Sequence, residues 1–73
     1  MAETKVVTEV AGRVCALAAS TGDQISEGDD IILVEAMKME LPVAAPNGGT
    51  VKTIMVKIDD IVAEGQVIAT IES

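Results

Sequence analysis

The stretch Glu35-Ala36-Met37-Lys38-Met39-Glu40 sits near the middle of the chain, between two apolar runs rich in β-branched residues. Ile31-Ile32-Leu33-Val34 precedes it and Leu41-Pro42-Val43 follows it. Two runs of this kind separated by a couple of residues read as a β-hairpin. Its tip is Met37-Lys38, with Lys38 projecting into solvent. A two-residue hairpin turn ordinarily takes Asn-Gly or Asp-Gly, because both central residues need positive φ. Met-Lys breaks that local rule, and such breaks gather where function overrides foldability. A lysine at a loop tip is by default an ordinary solvated charge. The turn chemistry sets this one apart.

Outward from the hairpin the chain repeats itself. A shift of 37 positions aligns residues 12–35 with residues 49–72 without a gap. Gly12 meets Gly49, Val14 meets Val51, Asp23 meets Asp60, Glu27-Gly28 meets Glu64-Gly65, Ile31 meets Ile68 and Glu35 meets Glu72. Leu17/Ile54, Ile25/Val62 and Val34/Ile71 are conservative pairs. Two like halves imply a pseudo-twofold β domain, whereas a solenoid stacks several units. Under the shift Lys38 falls just past the C-terminus in one direction and on Met1 in the other. The symmetry mate of the Lys38 hairpin is therefore the pair of terminal strands. The termini are expected side by side, at the end of the domain away from Lys38.

Taken in order, strands are expected over 5–9, 13–18, 24–25, 30–36, 39–44, 50–56, 61–62 and 66–71. Val14 and Leu17 are expected to face inward. Turns fall at Ser20–Asp23, at Ser26–Asp29 around Gly28, at Pro46-Asn47-Gly48-Gly49, at Asp59-Asp60 and at Glu64-Gly65. Gly28 is placed to supply a positive φ. Pro42 has no N–H, so its nitrogen must face away from a ladder partner or sit at an irregularity. No stretch reads as a helix. The fold expected over residues 1–73 is all-β: a single domain, a flattened barrel or sandwich of two four-stranded antiparallel sheets.

Seventy-three residues make a core that is marginal in size. The chain is 49% hydrophobic yet holds no Phe, Tyr or Trp, so the core must be Val, Ile, Leu, Ala and Met. Aromatic stacking platforms for single-stranded nucleic acid are absent. A net charge of −7, with five Lys and Arg in total, leaves no basic patch to neutralise phosphates. Nucleic acid is not an expected partner. No signal peptide and no membrane-length apolar run is present, so a cytoplasmic protein is expected. The lone Cys15 cannot form an internal disulfide, and the chain has no histidine to activate it as a nucleophile. A packing role is expected for it.

With its repeat and its hairpin motif, EAMKME resembles the attachment site of biotinyl domains, the biotin carboxyl carrier modules of biotin-dependent carboxylases. The resemblance covers nearly the whole chain and implies the same two-sheet fold. It implies biotin as cofactor, joined through an amide to the ε-nitrogen of Lys38, with Glu35, Ala36, Met37, Met39 and Glu40 as recognition residues. The similar lipoyl domains typically have Asp before the lysine and Ala after it. Met on both sides of Lys38 points to biotin. The implied partners are a biotin protein ligase, a biotin carboxylase that loads CO2 from bicarbonate, and a carboxyltransferase that passes the carboxyl group to an acceptor such as an acyl-CoA or a keto acid. The Lys38 amine must be free and deprotonated when it is acylated, which an exposed tip permits. No Pro/Ala-rich linker precedes the domain, so a free-standing carrier is expected; the domain is also expected to be monomeric. The gap-free repeat leaves no room for the extra protruding thumb that some carboxylase carriers insert.

The residues themselves supply no catalytic machinery: no His/Ser/Asp set, no Cys-His metal spacing, no phosphate-cradling glycine loop. The protein is thus expected to be a carrier and not an enzyme, with the prosthetic group doing the chemistry. Asp29-Asp30 and Asp59-Asp60 lack the ligand spacing of a calcium loop and read as solvated turn residues. Glu35 and Glu40 are expected to present the hairpin electrostatically. Met37 and Met39 read either as packing or as an adaptable apolar surface for several partners. Met55 reads as core filler and Met1 as the initiator. Two alternatives stand beside the biotin carrier: a lipoyl carrier of acyl or aminomethyl groups, and a cofactor-free β module whose hairpin docks a partner.

Overall fold

The computed structural model describes residues 2–73. Met1, read as the initiator, lies outside the described residues. Eight strands follow in order: β1 Glu3–Val7, β2 Gly12–Leu17, β3 Gln24–Ile25, β4 Asp30–Ala36, β5 Met39–Ala44, β6 Gly49–Ile54, β7 Ile61–Val62 and β8 Val67–Glu72. One four-stranded sheet has the order β1-β8-β6-β3 and the other β5-β4-β2-β7, with every pairing antiparallel. The all-β, two-sheet expectation is met, with some strand ends moved by one or two residues. The first strand starts earlier than expected because Glu3 already pairs with Glu72. It ends earlier because the Thr8 hydroxyl turns back to donate to the Val10 carbonyl at 2.7 Å.

The repeat governs the ladder pairing as well as the residue types. β4 pairs with β5 through Asp30/Ala44, Ile32/Val43, Leu33/Pro42, Val34/Leu41 and Glu35/Glu40. Shifted by 37, these become Val67/Val7, Ala69/Val6, Thr70/Lys5, Ile71/Thr4 and Glu72/Glu3, which are the observed partners of β8 and β1. Even the bulge recurs, lying between Asp30 and Ile32 in one half and between Val6 and Val7 in the other. Ala2 and Ser73 continue the terminal ladder with two backbone hydrogen bonds of 2.9 Å, so the termini do lie side by side.

Inward-facing side chains from both sheets close one core. Ile31, Ile32, Val34, Ile68, Ile71, Val14, Val51, Val6 and Val62 are at most 2% exposed. Each such side chain contributes about 1.5–3 kcal/mol on burial, which is how a core without aromatics suffices. Gly12 and Gly49 let neighbouring strands approach within each sheet, β2 to β4 and β6 to β8. A Cβ on Gly12 would strike the Glu35 carbonyl oxygen and Val34, and one on Gly49 would lie 2.6 Å from the Glu72 carbonyl oxygen.

Four equivalent turns join the strands. In Ser20–Asp23, Ser26–Asp29, Lys57–Asp60 and Ala63–Gln66, the fourth residue's N–H donates to the first carbonyl. The fourth side chain then accepts from the first N–H at 2.8–2.9 Å. The third residue has positive φ in every case: Gly22, Gly28, Asp59 and Gly65. That is the requirement of a type II turn. Asp29 and Asp60 are therefore turn clasps and not merely solvated charges.

Three packing expectations need correction or refinement. Met55 is 52% exposed, because strand alternation sends Ile54 and Val56 toward the core and Met55 outward. Leu17 is 41% exposed. A bulge between Val14 and Ala16 adds a residue to β2, and Leu17 ends the strand at the sheet margin, where little covers it. Cys15 is half-buried, its thiol donating weakly to the Leu33 carbonyl at 3.4 Å. Pro42 lies on β5, an edge strand, where its missing N–H breaks no ladder.

Candidate functional site

β4 and β5 pair up to Ala36 and Met39, which leaves Met37 and Lys38 as the two turn residues. Both adopt positive φ, 52° for Met37 and 64° for Lys38. This is the type I′ geometry whose twist matches the flanking strands. Neither residue is suited to it: a left-handed conformation costs an L-residue roughly 1–2 kcal/mol. The strain sits at the outermost point of the hairpin, the location where unfavourable backbone conformations usually mark function.

The side chains at the tip are open. Met37 is 94% exposed and Met39 60%, so neither packs into the core. Lys38 is exposed, and among the described residues its amine makes no ion pair and no side-chain hydrogen bond. An unencumbered primary amine between two exposed thioethers can be acylated without displacing any internal partner. The site therefore fits a group attached by an amide to Lys38. Ala36, half-buried, closes the last ladder pair with Met39 and limits the turn to two residues.

The two glutamates differ in state. Glu35 and Glu40 are cross-strand neighbours, a pairing of like charges that is unfavourable by itself. Arg13, the next residue in the same row on β2, relieves it. Its Nη2 donates to Glu35 Oε1 at 3.0 Å and its Nη1 to Asp59 Oδ1 at 2.6 Å. These contacts raise the Arg13 guanidinium above its ordinary range, the hydrogen bond to Glu35 contributing most. Glu35 is thus engaged, and Glu40 is the outward carboxylate of the pair, without a side-chain partner among the described residues.

All the residues singled out from the sequence come together in this hairpin. Arg13 was not among them, and Asp59 was read only as a solvated turn residue. Their only signal was a departure from the repeat: Arg13 stands where the other half has Thr50, and Asp59 where it has Gly22. The doublets Asp29-Asp30 and Asp59-Asp60 form no metal-binding cluster among the described residues. A groove of about 550 Å³ runs between the edge strands β1 and β5, lined by Val6, Val10, Leu41, Pro42, Val43 and Pro46 among others. It does not reach Met37, Lys38 or Met39, and the charged residues on its lining are Lys5 and Glu9.

Comparison with known proteins agrees with this geometry. Residues 2–71 match the family model described as "Biotin-requiring enzyme". The chain is 42% identical over 66 residues to the biotinylated protein TB7.3 homolog of Mycobacterium leprae, covering 90% of this chain and 93% of that protein. It is 38% identical over 63 residues to the biotin/lipoyl attachment protein of Bacillus subtilis, covering 86% of each. Among solved structures it superposes on the urea carboxylase of Kluyveromyces lactis with a TM-score of 0.94 at 35% identity. That match covers 99% of this chain and 6% of the much longer carboxylase. The chain belongs to the family of biotin-requiring enzymes, as a biotinyl carrier domain.

Proposed function

We propose that Lys38 carries biotin through an amide on Nζ, and that the chain shuttles an activated carboxyl group between a biotin carboxylase and a carboxyltransferase. The observation that carries the reading is the strained, solvent-facing turn that presents a free Lys38 amine between two exposed methionines. When bound, biotin supplies a ureido nitrogen able to accept a carboxyl group at one enzyme and release it at another. Every other part of the work falls to this chain's own residues, and it is placement.

The type I′ turn holds the Lys38 side chain away from the sheets, so the arm starts clear of the domain surface. Met37 and Met39 supply a flexible, polarizable apolar rim that can adapt to the ligase and to each enzyme in turn. Amide formation removes the lysine charge, making an already acidic protein, at −7, one unit more negative. Tethering converts the second enzyme encounter into one at high effective concentration. A biotin protein ligase is the modifying enzyme, the carrier acts as a monomer in the cytoplasm, and no step is catalysed by the chain itself.

Intact-mass measurement and peptide mapping of the protein made in cells with ample biotin test this. The expected result is an increment of one biotin less one water on Lys38, absent from a folded Lys38→Arg variant. A lipoyl increment, or label retained in Lys38→Arg, overturns the assignment.

A further inference from the structure

The edge strands that border the groove, β1 and β5, are mates under the 37-residue repeat, so each half of the molecule is a control for the other. Mated residues line the groove from both sides, Val6 with Val43 and Glu9 with Pro46 among them. Three lining residues have mates that do not line it: Leu41, Val10 and Ala45, whose mates are Thr4, Asn47 and Thr8. Ala45 is buried. Leu41 and Val10 are half-buried, and both lie toward the Lys38 hairpin. Leu41 follows Lys38 on β5, and Val10 leads into β2, whose Arg13 pairs with Glu35 just below the turn. The groove is thus drawn out toward the attachment lysine and not toward the termini.

Its polarity is one-sided as well. Lys5 and Glu9 on the β1 side stand where the β5 side has Pro42 and Pro46, so β5 contributes only apolar residues to the lining. Glu9 is exposed and makes no ion pair among the described residues. Small-molecule sites are about 300–1,000 Å³ in volume, mostly apolar, with a few polar groups that fix orientation. A groove of about 550 Å³ with an apolar lining, one cation and one anion is of that kind.

We propose that the hairpin end of this groove, at Leu41, Val10 and Glu9, is the resting place of the biotin ring borne by Lys38. The inference rests on the reading of Lys38 as the attachment site and adds where the ring lies between encounters. Reach supports it. A strand rises about 3.4 Å per residue, which puts Leu41 about 10 Å from Lys38. The extended lysine side chain and the acyl chain of biotin together are longer than that. Leu41 and Val10 offer apolar contact to the ring, and the Glu9 carboxylate accepts from its ureido N–H groups. A short flexible tether gives an effective concentration on the order of millimolar, so a site with a Kd of about 1 mM is about half filled. The single cation and single anion of the lining select no one partner enzyme, whereas the tether selects the arm. Half occupancy also leaves the arm free to be drawn out by either enzyme.

The test is nuclear magnetic resonance of the whole chain, unmodified and then biotinylated on Lys38 by a biotin protein ligase. The amide signals of Glu9, Val10 and Leu41 are expected to move on biotinylation. Nuclear Overhauser contacts are expected from ring protons to the methyl groups of Leu41 and Val10. Leu41→Thr, which installs the residue of the opposite half, is expected to abolish the contacts to Val10. Glu9→Ala, at an exposed position, is expected to weaken them, and thermal unfolding checks that each variant is folded. Shifts confined to residues 36–40 without ring contacts overturn the resting place and leave the carrier reading standing. So do contacts unchanged in both variants, or groove signals that move only when a carboxylase is added. Wild-type Lys38 that takes no biotin overturns the carrier reading, and the resting place falls with it.

Discussion

Ala2 and Ser73 exchange two backbone hydrogen bonds of 2.9 Å, in the place that Ala36 and Met39 occupy in the other half of the molecule. The Met37-Lys38 turn is thus the connection that the terminal strands lack. A twofold β framework has been left open at one of its two hairpin tips and closed at the other. The closed tip carries the strain and the Lys38 amine.

That strain is removable. Replacing Met37-Lys38 by Asn-Gly supplies residues suited to positive φ at both positions. The double variant is expected to gain about 1 kcal/mol, the left-handed penalty being partly offset by the entropy glycine loses. Urea unfolding should show a higher midpoint at unchanged slope. An unchanged or lower midpoint would mean that the turn is not strained. With Lys38 as the proposed attachment site, the variant is also expected to take no label, so stability and function would part company at these two residues.

Gly12→Ala is expected to destabilise by about 1–3 kcal/mol, because the new methyl group meets backbone that cannot step aside. Gly49→Ala should behave alike, since it meets the Glu72 carbonyl in the equivalent place and also has φ 154°. Gly48→Ala is the control. Its nearest contact would be the Ile25 carbonyl oxygen at 3.3 Å, a crowding of a few tenths of an ångström. Equal melting temperatures for Gly12→Ala and wild type would refute the close approach of β2 and β4.

Thr70 is 4% exposed, and its hydroxyl has no hydrogen-bond partner among the described residues. Its counterpart in the other half is Leu33. An unpaired buried hydroxyl costs about 1–3 kcal/mol, so Thr70→Val should raise stability by about 1 kcal/mol. Differential scanning calorimetry reads this directly. A lower melting temperature would place an ordered water at the hydroxyl.

The Lys52 ammonium donates to Glu3 Oε2 at 3.0 Å, tying β6 to β1 across β8. That hydrogen bond, followed by the charges of Glu3 and Glu72, raises Lys52 above the ordinary lysine range. A group whose value is raised on folding lends stability at lower pH and loses it as pH climbs through the folded value. Glu3→Gln should therefore be slightly less stable than wild type at pH 8. The gap should close only once pH has climbed past the raised folded value of Lys52, where lysine is deprotonated in both proteins. A gap that persists at high pH would trace the effect to packing.

Much of the architecture is readable before any coordinates. The apolar runs around EAMKME specify a hairpin, and alternation with turn residues specifies the other strands. β3, β4, β5 and β7 appear with the expected ends. The 37-residue shift goes further, because it implies which strands must pair and that the termini must meet. A repeat of this kind encodes tertiary contacts in one dimension: whatever β4 does with β5, β8 must do with β1. The strand ends at Val7 and Leu17 were less legible, since bulges beside them change the register and no local residue announces a bulge.

The sequence by itself determined the strand pattern, the twofold pairing and the placement of Lys38 at a two-residue tip. These are consequences of short-range periodicity and of similarity between the halves. Only the tertiary structure decided that Met55 faces solvent, that the Glu35 carboxylate is engaged while Glu40 is the outward one, and that Arg13 reaches Asp59, 46 residues away. Periodicity reports which face a residue takes. It cannot report which side chains meet once four strands lie side by side, because that depends on sheet order and register across the whole chain.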